Sequence, residues 1–354
     1  MSYQRFNSKP NSSGKNFAES FIEDEMMKEI EKPYTAESDL VARTFDPSDL
    51  AYGIPRKNQS KSPNPYGSAQ QLARNKYASA VWAEGVGELI HQNRAADIPS
   101  YSAKSAGCLF GYDRYFEEAA ASAGIGYVRT WLNEGGNAGR AEIDAYAAFL
   151  YGTYYHDNFY VELGFIAAGN DFRNRRNVTY PGFAATAKSS HWCAQAVPHV
   201  GLGYDISWKS ATLEPFVSFD ASILYQSAFS EHGAGTLNMT QKSTLSELLQ
   251  TEAGFNAYEI VTRKDFEFIF RQKLSYINKQ PINIGHIEAA LVGFPFGFTV
   301  TSFNKNQNLL SPALQIFFRK NNGFFASLMY NGQFQIGDEG YISNEILLKL
   351  GRYF

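Results

Sequence analysis

The chain has 354 residues and a formal net charge of −3, with 19% charged and 15% aromatic residues. This balance excludes the basic surface of a nucleic-acid-binding protein, and two cysteines, Cys108 and Cys193, are too few for a disulfide scaffold. No run of about 18 apolar residues occurs, so no transmembrane helix is predicted. Barrel strands need only about 10 alternating residues each, and 22 Tyr, 28 Phe and 29 Gly favour that class.

Residues 1–67 differ in composition from the rest of the chain, because Ser, Asn, Lys, Pro and acidic residues dominate them. We predict a low-complexity, disordered extension, interrupted by one amphipathic helix over Glu19–Lys32. The first residues lack the apolar core of a signal peptide, so we expect that Met1 is not the natural start of an exported chain. A second short helix is predicted over Ser68–Ser79, where Ser68 is a candidate N-cap.

From Ala80 onward the apolar pattern has period two, which predicts strands whose two faces meet different surroundings. The pattern predicts twelve strands, an even number that is typical of outer-membrane barrels. They are Ala80–His91, Ser102–Tyr112, Ala119–Trp131, Ala141–Tyr155, Phe159–Gly169, Ser190–Ile206, Leu213–Ala228, Leu245–Val261, Phe266–Asn278, Leu309–Arg319, Phe324–Gln335 and Ser343–Phe354.

Charged side chains fall on one face of these strands, and large apolar side chains fall on the other. In Leu213–Ala228, for example, Glu214 and Asp220 oppose Leu213 and Phe219. Because a barrel in lipid is apolar outside and polar inside, we predict that the charged residues face the lumen. The predicted lumen residues are Glu84, Glu142, Asp144, Glu214, Asp220, Glu267, Arg271 and Lys273.

The connections between the predicted strands alternate regularly between long and short. The long ones are Gln92–Tyr101, Leu132–Arg140, Asn170–Ser189, Phe229–Thr244, Lys279–Asn308 and Ile336–Ile342. Outer-membrane barrels place short turns in the periplasm and long loops at the cell surface. The order therefore predicts that both ends of the barrel, the start of the first strand and Phe354, lie in the periplasm.

The last twelve residues alternate Ile346, Leu348, Leu350 and Phe354 with Lys349 and Gly351, and Leu347 is an exception on the polar face. An alternating final strand with an aromatic end is typical of a strand that closes a membrane barrel against its first strand.

Several phrases resemble one known family, the C-terminal translocator barrels of autotransporters (type V secretion). Val81–Gly87 (VWAEGVG) resembles the first strand of that family, and Ser105–Arg114 (SAGCLFGYDR) its second strand with a Gly-x-Asp turn. Further matches in the family's order are Gly203–Asp205 (GYD), Leu213–Phe216 (LEPF), the loop Phe229–Asn238 (FSEHGAGTLN) and the closing GRYF. The resemblance covers residues 79–354.

This resemblance implies an outer-membrane β-barrel that accompanies an N-terminal passenger to the cell surface. It implies that Ser68–Ser79 is a pore helix, that residues 1–67 are an extension or passenger remnant, and that residues 80–354 form the translocator. It also implies that Tyr353 and Phe354 are the signal read by the barrel-assembly machinery, with periplasmic chaperones as further partners. Glu231, Gly233, Gly235 and Asn238 match the family's loop pattern.

Four tryptophans, Trp82, Trp131, Trp192 and Trp208, are predicted to form an aromatic girdle at the headgroup level. No cofactor, metal or nucleotide motif is present, and the expectation is a monomeric protein that is not an enzyme. Three alternatives stay open: a stand-alone pore or adhesin-like barrel, self-cleavage at Asn75 by a lumen acid, and a phospholipase-like hydrolase on the barrel wall.

Overall fold

Alternating side chains and an unbroken series of strand pairs define the architecture. The computed structural model describes residues 79–94, 100–116, 118–208, 211–283, 286–293, 297–301, 306–337 and 340–354. Its strands are β1 (Ser79–Gln92), β2 (Tyr101–Tyr115), β3 (Ala119–Glu134), β4 (Gly139–His156), β5 (Phe159–Tyr180), β6 (Phe183–Tyr204), β7 (Ile206–Trp208), β8 (Ala211–Gln226), β9 (Phe229–Ser230), β10 (Met239–Gln241), β11 (Thr244–Thr262), β12 (Phe266–Asn283), β13 (His286–Leu291), β14 (Gly297–Thr301), β15 (Gln307–Lys320), β16 (Phe324–Gln335) and β17 (Tyr341–Tyr353). Two 3-10 turns lie at Gly135–Asn137 and Gly235–Leu237.

Twelve strands of the described chain close into an antiparallel ring. Neighbours in sequence are neighbours in the ring, in the order β1, β2, β3, β4, β5, β6, β8, β11, β12, β15, β16 and β17. The ring closes where β17 pairs with β1, from Tyr353 opposite Ala80 to Tyr341 opposite Gln92. Closure gives every barrel strand two neighbours, so no backbone edge is left to face lipid. The predicted twelve-stranded barrel is confirmed.

The outer face of the ring carries a belt of exposed apolar side chains. Examples from around the ring are Phe110, Ile125, Leu150, Phe165, Leu202, Phe219, Phe255, Leu274, Leu314, Leu328 and Leu348. An apolar surface that runs all the way around a protein is suited to hydrocarbon rather than water. In the strands that contain Glu214, Arg271 and Lys349, the predicted polar face is the inner face and the predicted apolar face is the outer face. Leu347 lies on the inner face, because it is two residues from Lys349 on the same strand.

The predicted long loop over Asn170–Ser189 is wrong. Strands β5 and β6 continue through it to Tyr180 and Phe183 and leave only a two-residue turn between them. The inner side of this extension packs its Val178 and Ala187 against residues from the neighbouring connections. The polar sequence resembled a loop, but tertiary packing beyond the apolar belt stabilises it as a hairpin.

The connections that follow β8 and β12 also contain strands. Strands β9, β10, β13 and β14 form a separate four-stranded sheet at the long-loop end. Leu237, Met239 and Leu291 from this region form one buried cluster with the extended β5–β6 hairpin. The long-loop end therefore has a small core of its own.

The predicted helices over Glu19–Lys32 and Ser68–Ser79 lie outside the described residues, except for Ser79, which begins β1. Among the residues that the structure describes, no helix has the length and apolar character needed to cross a membrane.

Candidate functional site in the barrel interior

Charged side chains line the inner wall of the barrel and are paired there. Six of the eight predicted lumen residues lie on this face and are at most 7% exposed: Glu84, Glu214, Asp220, Glu267, Arg271 and Lys273. Their position follows from strand parity, because residues two apart on a strand share a face. Each has a charged or polar partner on a neighbouring strand.

The seam between β1 and β17 carries one of these pairs. Lys349 Nζ lies 2.8 Å from Glu84 Oε2 and 4.1 Å from the centre of the Trp82 ring. The Trp82 indole donates a hydrogen bond of 2.8 Å to Asp113 on β2. The predicted girdle position of Trp82 is therefore wrong, because the residue is 6% exposed and lies on the inner face. A buried Trp needs an acceptor for its N–H, and Asp113 provides it.

Glu214 on β8 accepts hydrogen bonds from three neighbours. Tyr160 donates at 2.9 Å, Asn256 at 2.8 Å and Tyr258 at 3.2 Å. Arg271 in turn donates to the side-chain oxygen of Asn256 at 2.8 Å. This network links β5, β8, β11 and β12 across the inner wall and holds a carboxylate that is 0% exposed.

Three further pairs lie on the inner wall. Lys273 contacts Glu252 at 2.8 Å, Arg319 contacts Glu267 at 2.7 Å, and His199 contacts Asp220 at 2.6 Å. A buried charge is tolerated only when it is paired and hydrogen-bonded. The inner wall is thus polar in composition, and each of the charges named above is ion-paired or hydrogen-bonded within the wall.

The lumen prediction for Glu142 and Asp144 is wrong. Both residues lie on the outer face of β4, whose inner face carries Ala141, Ile143 and Ala145. Glu142 pairs with Arg129 at 2.6 Å, and Asp144 pairs with Arg129 and Arg173. The polarity of the two faces reverses here because this end of the strand lies above the apolar belt, where water and headgroups surround the outer face.

Trp131 and Trp192 lie on the outer face near the long-loop end and are 41% and 55% exposed. Amphipathic rings favour the headgroup level of a membrane, so both positions suit the predicted girdle. Trp208 ends β7 on the short-turn side, and its part in a girdle remains a prediction.

The loop motif folds around Glu231. Its carboxylate accepts two hydrogen bonds from Arg176, at 3.0 and 2.6 Å, and one from the Met239 backbone at 2.8 Å. Asn238 accepts a bond from the backbone of Ala234 at 2.8 Å, which closes the turn that contains Gly233 and Gly235. The four motif residues therefore shape the connection between β9 and β10 within the small sheet.

Tyr353 and Phe354 point to opposite sides of the wall. Tyr353 is 2% exposed and packs against Phe325 and Tyr115, with ring centres 4.7 and 5.9 Å apart. Phe354 is 57% exposed on the outer face, and its backbone N–H donates to the Ser79 carbonyl at 2.9 Å. The backbone contact fixes Phe354 beside the start of β1.

A model of the autotransporter beta-domain matches residues 81–331. The chain belongs to the autotransporter family. Its barrel is similar to the translocator domain of autotransporter NalP from Neisseria meningitidis, with 16% identity, a TM-score of 0.63 and coverage of 81% of this chain and 92% of that one. It is also similar to the beta domain of the Bordetella autotransporter BrkA, with 13% identity, a TM-score of 0.59 and coverage of 78% and 100%. No curated protein matches the chain.

The autotransporter barrel is an outer-membrane translocator, and its family role is the export of an N-terminal passenger to the cell surface. The domain is thus one of transport and secretion.

Sequence reasoning missed most partners of the inner charges. Lys349, Arg319 and Glu252 form ion pairs in the structure but were not assigned to the lumen from the sequence. Strand parity would have found Arg319 and Lys349, because each shares a face with inward residues of its own strand. The contacts themselves depend on the register between strands, which no single strand reveals.

Proposed function

We propose that the autotransporter barrel carries its passenger across the outer membrane through its own interior, with short turns in the periplasm and long loops outside. The observation that supports this is the position of Ser79 beside Phe354 at the short-turn end of the ring. A segment that precedes Ser79 starts at that end. To reach the long-loop side without crossing lipid, it has to pass through the barrel.

In this proposal the predicted segment 68–79 occupies the pore up to Ser79, which already begins β1. Residues 1–67 are the extension or passenger remnant, and residues 80–354 are the translocator. The inner wall suits this role, because charges that are already paired or hydrogen-bonded within the wall bind a passing polypeptide less strongly. The test is ion conductance of the full chain in planar bilayers. We expect small or no steps, and large stable steps would instead favour the stand-alone pore.

The orientation is tested by cysteine labelling of intact cells. In a C108S/C193S background, Pro181→Cys places a thiol in the β5–β6 turn at the long-loop end, and Asn322→Cys places one in the short turn before β16. We expect a membrane-impermeant maleimide to label Pro181→Cys on intact cells and Asn322→Cys only after lysis. The opposite pattern would reverse the proposed orientation.

We further propose that Tyr353 and Phe354 are read by the barrel-assembly machinery after delivery by periplasmic chaperones. The Phe354 side chain is exposed on the outer face of the barrel, so its ring is available to a partner. Tyr353 is buried in the finished barrel. Phe354→Ala should lower the amount of barrel inserted in cells while leaving the refolded protein equally stable in vitro. Equal insertion of wild type and variant would refute the signal.

The barrel is proposed to act as a monomer without catalysis, since its ring has no open edge for a second copy. Light scattering of the purified protein tests the monomeric state, and a dimer mass would contradict it.

Incubation of the purified protein with phospholipid tests the absence of catalysis, since turnover would support the hydrolase alternative. Asn75→Asp tests self-cleavage, because a changed ratio of full-length to processed chain would support that alternative.

A further inference from the structure

Three cations lie side by side on the outer face at the long-loop end. Arg140 on β4 is directly opposite Arg175 on β5, and Arg175 is directly opposite Lys188 on β6. All three side chains are exposed. Like charges directly opposite each other destabilise a sheet, so the row is unfavourable for the barrel by itself. Among the described residues, none of these three side chains forms an ion pair.

The neighbouring outer-face positions do not neutralise this row. Over β2–β6, the three outer-face rows that pass through Arg140, Glu142 and Asp144 of β4 contain six cations, Lys104, Arg129, Arg140, Arg173, Arg175 and Lys188, and three acids, Glu142, Asp144 and Asp171. All three acids already contact Arg129 or Arg173. The surface, which we call the cation patch, therefore carries an excess of three positive charges.

The cation patch borders the apolar belt. Trp131 lies between Lys104 and Glu142 in register, and Trp192 lies opposite Asp171. Further down the same strands the outer residues are Tyr127 and Tyr146, followed by apolar positions such as Ile125. Successive rows of outer-face residues are about 6.6 Å apart along a strand. Tryptophan and tyrosine mark the headgroup level of a membrane, so the patch lies where lipid phosphates lie.

We propose that the cation patch binds the phosphate groups of a membrane lipid in the leaflet at the long-loop end. Guanidinium groups bind phosphate oxygens in a bidentate manner, and clustered Lys and Arg next to a membrane attract anionic headgroups. Acyl chains of the same lipid would lie against the apolar belt below. That second contact favours a lipid over a free phosphate ion, which the exposed side chains alone would hold weakly.

The membrane setting follows from the family, and assignment of this leaflet to the cell surface rests on the proposed orientation. The cysteine labelling described above tests that orientation separately. Loss of lipid binding and a reversed orientation are therefore distinguishable results.

The test compares two variants of the full chain that remove equal charge at opposite ends of the barrel. R140Q/R175Q/K188Q removes the outermost row of the patch. R263Q/K264Q/K320Q removes three exposed cations at the short-turn end, where Arg263 and Lys264 follow β11 and Lys320 ends β15. The probe is a fluorescent lipid A that carries two phosphates, titrated against purified protein in neutral detergent. Its dephosphorylated form and inorganic phosphate serve as controls.

We expect the patch variant to bind the phosphorylated lipid at least about tenfold more weakly than wild type, because each cation near an anionic headgroup contributes several-fold. The short-turn variant should bind like wild type, and the dephosphorylated lipid should bind weakly to all. Equal loss in both variants, equal binding of the dephosphorylated lipid, or complete displacement by millimolar phosphate would overturn the proposal. R175Q alone, expected to weaken binding about threefold or more, provides the test if the triple variant does not fold.

Discussion

Lys349 and Glu84 form a 2.8 Å ion pair across the seam at which the last strand of the ring meets the first. Both side chains are nearly excluded from solvent, at 6% and 5% exposure. The pair therefore compensates charge at the contact that converts an open sheet into a barrel. Replacing either side chain by a neutral one would leave the other as a buried charge without its partner.

We expect Lys349→Met to lower the free energy of unfolding by about 3 kcal/mol, because breaking a buried pair leaves an uncompensated charge. Glu84→Gln should have a similar effect, and E84Q/K349M should be less destabilised than the sum of the two. Denaturant unfolding in lipid vesicles measures all three. Lys242→Met is the control, because its pair with Glu288 is exposed and should contribute less than about 1 kcal/mol. Additive effects at the seam would show that the two residues do not interact.

Gly233 and Gly235 in the loop motif differ in what a side chain would meet. Gly233 has φ of +105°, and an added Cβ would lie 2.6 Å from the Thr186 carbonyl oxygen. Gly235 has φ of +62° with open space around the Cβ position. We expect Gly233→Ala to destabilise the loop by about 2 kcal/mol or more, and Gly235→Ala by about 1 kcal/mol.

Hydrogen exchange of residues 227–243 measures this difference. Faster exchange in Gly233→Ala than in Gly235→Ala, with unchanged exchange in the barrel strands, is the expected result. Identical exchange in the two variants would show that the close approach to Thr186 does not constrain the loop. The buried Glu231–Arg176 pair gives an independent comparison, since Glu231→Gln should also increase exchange in this segment.

Much of this architecture is predictable from the sequence, because alternation assigns a face to each residue. For Lys273 and Leu274 the alternation predicted both the strand and the side of the wall. Alternation shows only which residues share a face, however. The medium around the strand, lipid or water, decides which of the two faces is polar. Glu142 and Asp144 were assigned to the wrong face because their end of β4 lies above the belt, where charge is tolerated outside.

The candidate site was less predictable than the fold. The contact between Glu84 and Lys349 joins residues at the two ends of the barrel sequence, and it exists only because the ring closes in one register. Trp82 resembled a girdle residue by its position in β1, but its inward parity and the acceptor Asp113 place it inside. Both features depend on contacts between strands, which alternation within one strand does not contain.

The separation of tryptophans into inner and outer positions predicts different fluorescence quenching. Trp131 and Trp192 are on the outer face, whereas Trp82 is enclosed by Phe149 and Lys349. In variants with a single Trp, lipids brominated near the headgroup should quench Trp131 and Trp192 strongly, because bromine quenches on contact and these rings favour that level. Trp82 should be quenched little by any brominated lipid. Strong quenching of Trp82 would contradict its inner position.

The apolar belt predicts a strong dependence of stability on depth along the outer face. Leu150 is 62% exposed on the outer face of β4 and lies in register with Phe165 on β5. We expect Leu150→Arg to lower the free energy of unfolding in lipid vesicles by about 2–4 kcal/mol, because a cation near the membrane midplane is costly. Ser190→Arg on β6 is the matched control, since Ser190 lies opposite Arg173 within the cation patch. Its expected effect is about 0–1 kcal/mol, the cost of a cation at an interfacial position with the repulsion from Arg173 included. Equal destabilisation by the two substitutions would mean that Leu150 does not lie deeper in the membrane than Ser190.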